Sequence, residues 1–321
     1  MSDIKLFRLI QDKASELKGE ASELDRSLQR QIEANLELLL GIRLLASDYG
    51  AGKSAADRID TLGLDENHSP VILKYKQAVG ENVIHQGLFY LDWLLDHQAE
   101  FKLLVLDVLG KSPADALDWS SPRLVCIAPD FTRYDAHAVQ QINRNIELIR
   151  FRRFGSELLL LELANTVTPG KVRGAANAVR KIDLSGTAHG KAGAERSFAD
   201  TLQNLPATLA DLLHLLEDYC LTLGDDVQRN ELKQYVAFKR LKNFASVALQ
   251  RGRLLLYLHT DPAPWVGKLP SARDVRRQGH SGTGDLELSL CTAADLEAAK
   301  PLIALAYEGH VETVVAQAVE A

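Results

Sequence analysis

The stretch that decides the fold is Arg58-Ile59-Asp60-Thr61-Leu62-Gly63-Leu64, then Asp65-Glu66-Asn67-His68-Ser69, then Pro70-Val71-Ile72-Leu73-Lys74-Tyr75-Lys76. Two short apolar runs flank a polar cluster, which is the signature of a β-hairpin. Upstream, Ile42–Tyr49 is a third strand-like run. Before it, Leu24, Leu28, Ile32, Leu36 and Leu39 recur at helical spacing between Glu20 and Leu40, and Gly41 ends that helix. Downstream, Val83–Leu95 is amphipathic and helical, and Phe101–Leu109 continues as a second helix. Arg123–Ala128 is an apolar run closed by Pro129. The spacing predicts a helix over Ala136–Ile149 and a strand over Glu157–Leu163, with a further short strand at Ile4–Leu9. The order is α-β-β-β-α followed by β-α-β, a mixed α/β sheet flanked by helices.

The pattern breaks after residue 167. From Pro169 to Ser197 there are five glycines, six Lys/Arg and two acids, so 168–197 reads as a basic, Gly-rich linker. It serves either as a solvated hinge or as a strap along a phosphate backbone. A domain spanning 1–167 precedes it and a smaller α+β domain, 198–321, follows. In the latter, Leu202–Leu223 is leucine-rich at helical spacing, and Tyr235–Phe238, Ser246–Leu249, Leu254–His259 and Leu286–Leu290 read as strands. Thr292 with Asp295 forms a capping arrangement for a helix running to Tyr307.

Composition narrows the function. The chain of 321 residues carries a net charge of −6, which excludes a bulk polycation but not a local basic patch. Three cysteines, Cys126, Cys220 and Cys291, are too few and too dispersed for a disulfide scaffold or a Cys-rich zinc module. The apolar runs are far shorter than a membrane span needs, and the first residues lack a signal-peptide layout. A cytoplasmic protein without membrane association is expected. The histidines form no metal-spaced cluster, and no Gly-x-Ser-x-Gly elbow occurs. Gly50-Ala51-Gly52-Lys53-Ser54 has Ser47 where a P-loop needs its first glycine, so it is read as a turn, with Lys53 as a candidate phosphate contact.

The hairpin carries the chemistry. Strand alternation puts Lys74 and Lys76 on one face, and pairing brings that face beside Asp60. An acid there suits a divalent cation, and a lysine suits phosphate charge or an attacking water. Further on, Gln86 and Tyr90 lie one helical turn apart and face together. Asp60, the strand ending in Lys76, the acid Glu37 on the preceding helix and Gln86-Gly87-Leu88-Phe89-Tyr90 resemble the PD-(D/E)XK, restriction-endonuclease-like nuclease superfamily in its RecB-like Gln-x-x-x-Tyr form. The whole chain resembles bacterial proteins that join such a domain to a C-terminal domain of unknown function. The resemblance implies an αβββαβ core, Mg²⁺ or Mn²⁺ held by Asp60 and Glu37, water activation by Lys76, positioning by Gln86 and Tyr90, and hydrolysis of DNA phosphodiesters. The departure is Lys74, which stands where the superfamily has a metal-binding acid. An ammonium has three donors and no lone pair. The resemblance therefore implies a Mg²⁺-dependent deoxyribonuclease or its inactive relative. The second case makes the chain a non-catalytic nucleic-acid-binding or assembly module. A migrated acid, Glu37 or Glu81, or a single replacement of glutamate by lysine accounts equally for the departure.

The second domain has its own basic run. Lys233, Lys239, Arg240, Lys242, Arg251 and Arg253 interleave with Tyr235, Phe238 and Phe244, without an acid between Lys233 and Arg253. This is either a DNA-binding face with stacking groups or a solvated sheet face over an aromatic core. The same domain is the candidate surface for a homodimer or a protein partner.

Overall fold

The computed structural model describes residues 4–20, 26–52, 58–76, 83–167, 197–280 and 282–309. Lys53, Glu81 and the linker up to residue 196 lie outside the described residues. The chain opens with a two-stranded hairpin, β1 (Leu6–Ile10) and β2 (Lys13–Leu17), and a short β3 (Gly19–Glu20). Helices α1 (Arg26–Ala34) and α2 (Leu36–Leu40) follow, then the meander β4 (Ile42–Gly50), β5 (Arg58–Asp65) and β6 (Pro70–Tyr75). Next come α3 (Val83–Asp96), α4 (Gln98–Leu109), α5 (Lys111–Asp115), β7 (Arg123–Ala128), α6 (Arg133–Gln141), β8 (Asn145–Phe154) and β9 (Leu158–Val167). Sheet order is β3-β8-β7-β6-β5-β4, with β9 added to β8. The meander is antiparallel, whereas β6, β7 and β8 run parallel. The expected αβββαβ order, a mixed α/β core, is present.

Both faces of this sheet are buried. Leu28, Ile32, Leu36 and Leu40 of α1 and α2 pack on Val71, Leu73, Val125 and Ile127. Leu91 and Leu94 of α3, Phe101 of α4 and Val139 of α6 pack on Ile72, Leu124, Cys126 and Leu148. Gly87 sets the approach of α3: a Cβ there would lie 2.5 Å from Leu124 Cδ1 on β7. Gly87→Leu should therefore cost about 1–3 kcal/mol by overpacking, read as a lower urea midpoint with an unchanged slope.

Two helix expectations in this part need correction. The run from Glu20 to Leu40 is not one helix; it breaks at Asn35 between α1 and α2. Gly41 then closes α2 in the left-handed conformation, φ 65°, as its place after the apolar run suggests. The expected helix Ala136–Ile149 stops at Gln141, and Asn145–Ile149 is strand β8. Ile142, Ile146 and Ile149 imitate helical spacing, but Ile146 and Ile149 belong to the cores on opposite faces of the sheet. A parallel strand buried on both sides shows no alternation to give it away.

The C-terminal unit comprises α7 (Phe198–Gln203), α8 (Ala207–Thr222), β10 (Gln228–Glu231), β11 (Tyr235–Lys239), β12 (Asn243–Gln250), β13 (Arg253–Leu258), β14 (Ala272–Asp274), β15 (Leu286–Leu290) and α9 (Ala293–Glu308). The six-stranded sheet has the order β10-β11-β12-β13-β15-β14, all antiparallel. Its apolar face packs under Leu212 and Leu216 of α8 and Leu302 and Ile303 of α9. Pro206 divides the expected Leu202–Leu223 helix into α7 and α8. Thr292 and Asp295 form the expected reciprocal cap of α9. Among the described residues, no helix is long and apolar enough to cross a membrane.

Candidate functional site

Asp60 enters near the start of β5, and Lys74 and Tyr75 end β6. Antiparallel pairing of these strands closes the gap that the sequence leaves between them. Lys74 Nζ lies 2.5 Å from Asp60 Oδ1, and the Tyr75 N–H donates to Asp60 Oδ2 at 3.0 Å. The Lys74 side chain is 10% exposed and that of Asp60 22%. The Lys74 ammonium also sits 5.2 Å from the centre of the Tyr90 ring on α3, a cation–π contact. Arg58, a rival partner for Asp60, donates to the Asp48 carbonyl instead.

Asp60, Lys74 and Tyr75 floor a polar cleft of about 340 Å³ between α1 and α3, whose rim includes Arg26, Arg30, Glu33, Asp48 and Gln86. Gln86 is exposed on the rim of the cleft, whereas Tyr90, one turn later, is buried against the Lys74 ammonium and does not line the cleft. The acid that α1 supplies is Glu33, not Glu37. Glu33 accepts from Ser47 Oγ at 2.9 Å, from Gln29 Nε2 at 3.0 Å and from the Thr61 hydroxyl. Glu37 is exposed on α2 and outside the cleft. The break at Asn35 separates the two acids, and no sequence signal favoured Glu33 over its neighbour one turn later. Arg26 and Arg30 were also missed; their i, i+4 spacing on the exposed face of α1 was the available signal.

Lys76 follows Lys74 on the same side of β6 but points deeper. It is 2% exposed, and its ammonium lies 4.0 Å from Asp135 Oδ2 at the N-terminus of α6. Burial, with help from the Asp135 charge, pushes the thiol of nearby Cys126 up to about 12, so it is a protonated filler and not a nucleophile. Burial, with the Glu33 and Asp60 charges assisting, also holds the Tyr75 phenol above its usual pKa. It is therefore a neutral hydroxyl at neutral pH.

The donor set does not fit a divalent cation. Mg²⁺ needs carboxylate oxygens and waters in near-octahedral array. Here both Asp60 oxygens accept hydrogen bonds and both Glu33 oxygens are engaged by side chains. Lys74 places a fixed positive charge against Asp60 where a metal-binding acid was implied. Among the described residues, no group of three or more His, Cys, Asp or Glu is arranged to hold a metal. What the cleft offers is guanidinium, amide and ammonium donors, a set suited to phosphate oxygens.

The basic run of the second unit does not form one patch. Lys239 is 3% exposed and donates to Glu147 Oε1 at 2.6 Å, so it is unavailable to a phosphate backbone. Arg240 pairs with Asp226 at 2.5 Å and stacks on Tyr307, and Lys242 is half-buried in a cavity between the units. Arg251 and Arg253 are exposed at the far end of β12, roughly 25 Å away at about 3.4 Å per residue. Lys233 is exposed ahead of β11.

The units meet through buried polar groups. Arg123 donates to both oxygens of Glu147, at 2.9 and 3.0 Å, and to Asp65 Oδ2 at 2.9 Å. Asn67 Oδ1 accepts from the Tyr235 hydroxyl at 2.9 Å and from Asn243 Nδ2 at 2.7 Å. Burial alone would raise the Glu147 carboxyl, but Arg123 and Lys239 outweigh it and hold its pKa at about 2.

Comparison with known proteins assigns no role. Residues 198–310 match the family described as a domain of unknown function (DUF5655). An uncharacterized protein of Haemophilus influenzae strain Rd is 27% identical over 303 residues, covering 94% of this chain and 98% of the relative. No solved structure matches the chain.

Proposed function

We propose that the N-terminal unit is a restriction-endonuclease-like fold that grips a DNA phosphate backbone without a divalent cation, Lys74 taking the place of the metal-binding acid. The observation that carries this reading is the 2.5 Å contact of Lys74 with Asp60 at the floor of the cleft. The αβββαβ order, with Tyr90 against Lys74 and Gln86 on the rim of the cleft, supports the kinship. Arg26 and Arg30 on the rim support the ligand class. The chemistry is binding and not hydrolysis: the cleft has phosphate donors but no means to generate a metal hydroxide, and Lys76 is held away from it.

Fluorescence anisotropy with labelled single- and double-stranded DNA, titrated against salt, tests the reading. Binding should persist in a chelator and weaken with rising salt. The double variant Arg26→Gln/Arg30→Gln should reduce the magnitude of the log–log salt slope by up to about 2, one per lost phosphate contact, and weaken all sequences alike. Binding that disappears with the chelator, or that ignores the double variant, would sink this assignment.

A further inference from the structure

A second, larger cavity of about 810 Å³ lies between the two units, away from the cleft just described. One wall is leucine: Leu38 and Leu39 from α2, and Leu160, Leu161 and Leu163 from β9. Leu36 and Leu40 of the same short helix are each 2% exposed, whereas Leu38, on the opposite side of α2, is 73% exposed. The β9 leucines are only half-buried. β9 is also an edge strand, paired with β8 and with no other strand among the described residues. The charged groups nearby are answered within the protein. Arg240 has Asp226, Glu162 has Arg150, and Lys242 lies within reach of the buried Glu66 carboxylate. What stays uncovered is the apolar wall, and a contiguous apolar surface marks a docking site.

The course of the chain supplies the occupant. Helix α9 ends at Glu308, and Gly309, at φ 78°, closes it with its N–H on the Ala306 carbonyl. Ala306, Tyr307, Glu308 and Gly309 all line the cavity, so residue 310 starts from the cavity wall. In the sequence that follows, Val311, Val314, Val315 and Ala318 recur at i, i+3, i+4 and i+7, the spacing of one apolar stripe. Val311 lies two residues beyond Gly309 and Val319 ten. At about 3.5 Å per residue these positions reach up to roughly 7 and 35 Å, so the leucines are accessible without moving either unit.

We propose that residues 310–321 dock onto this wall, their valines on Leu38 and the β9 leucines. The segment continues α9, while the wall belongs to α2 and β9, so docking staples the C-terminal unit to the N-terminal one. The proposal shares no residue with the nucleic-acid cleft and stands or falls separately from it.

Thiol labelling of the full chain tests it. Cys126 and Cys220 are buried and Cys291 is exposed, so Leu38→Cys in a Cys291→Ser background offers one accessible thiol. That thiol should react with a maleimide about tenfold more slowly in the full chain than in a chain ending at Gly309. Val314→Asp/Val315→Asp keeps the length and should restore the fast rate. Unlabelled Cys126 and Cys220 show that each variant is folded. Leu38→Cys combined with Val314→Cys should, on mild oxidation, give a disulfide within one chain. A labelling rate that ignores both the truncation and the aspartate pair overturns the proposal. So does protection that fades on dilution, or a disulfide that joins two chains, since either gives the wall to a second copy.

Discussion

Glu147→Ala should lose about 3–5 kcal/mol of unfolding free energy at neutral pH, because it leaves the Arg123 guanidinium and the Lys239 ammonium buried without their shared carboxylate. Urea unfolding checks this. The asymmetry of buried ion pairs gives a control: the triple change Arg123→Met/Glu147→Leu/Lys239→Met removes every stranded charge except Asp65, and should cost much less than Glu147→Ala alone. A triple variant as unstable as the single one would mean that the network's shape, and not its charge balance, supports the interface. The same group sets an acid limit. Its folded pKa of about 2 lies below the ordinary glutamate value of about 4.3. Its contribution is therefore fully present above about pH 4.3 and fades as pH falls through about 2. The acid-unfolding curve of the unaltered protein should carry a step in that window that the triple variant lacks.

Lys74→Glu should turn the cleft from indifferent to responsive towards divalent cations. The change replaces an ammonium 2.5 Å from Asp60 Oδ1 by a second carboxylate. Two acids at that separation repel, which destabilises the metal-free protein at neutral pH and raises one carboxyl pKa. A cation that binds only the folded state then restores stability by about 2.7 kcal/mol at a hundred times its dissociation constant. Differential scanning fluorimetry with and without Mn²⁺ reads this directly. The unaltered protein should show no Mn²⁺-dependent shift, and Lys74→Glu a positive one. Salt-dependent DNA binding in chelator should weaken in the variant, since the floor of the cleft changes sign. An Mn²⁺ shift of equal size in both proteins would mean that Lys74 does not occupy the cation position.

The parts of the site that were legible were local. A polar turn between two apolar runs forces Asp60 and Lys74 into one hairpin, and one helical turn brings Gln86 and Tyr90 together. The acid on α1 was not legible. Glu33 and Glu37 lie on the same leucine-rich run, and the break at Asn35 decides which of them faces the cleft. Lys239 shows the same gap more sharply. A lysine in a basic run reads as solvent-facing. Its burial is possible only because Glu147, 92 residues earlier in sequence, arrives at the same point.

By itself, then, the sequence determined the αβββαβ order, the hairpin, the cap of α9 and four of the six strands of the second sheet, β10 and β14 being too short to show a pattern, since each is a matter of periodicity and turn chemistry within a few residues. Tertiary structure alone decided three things. It made β8 a strand, because burial on both faces erases alternation. It turned the strand residues Asp65, Arg123 and Glu147 of the first unit and Lys239 of the second into a lock between units, because a buried charge is tolerable only beside its counter-charge. And it opened the leucine-walled cavity, because a cavity is a property of two surfaces whose facing residues no local pattern relates.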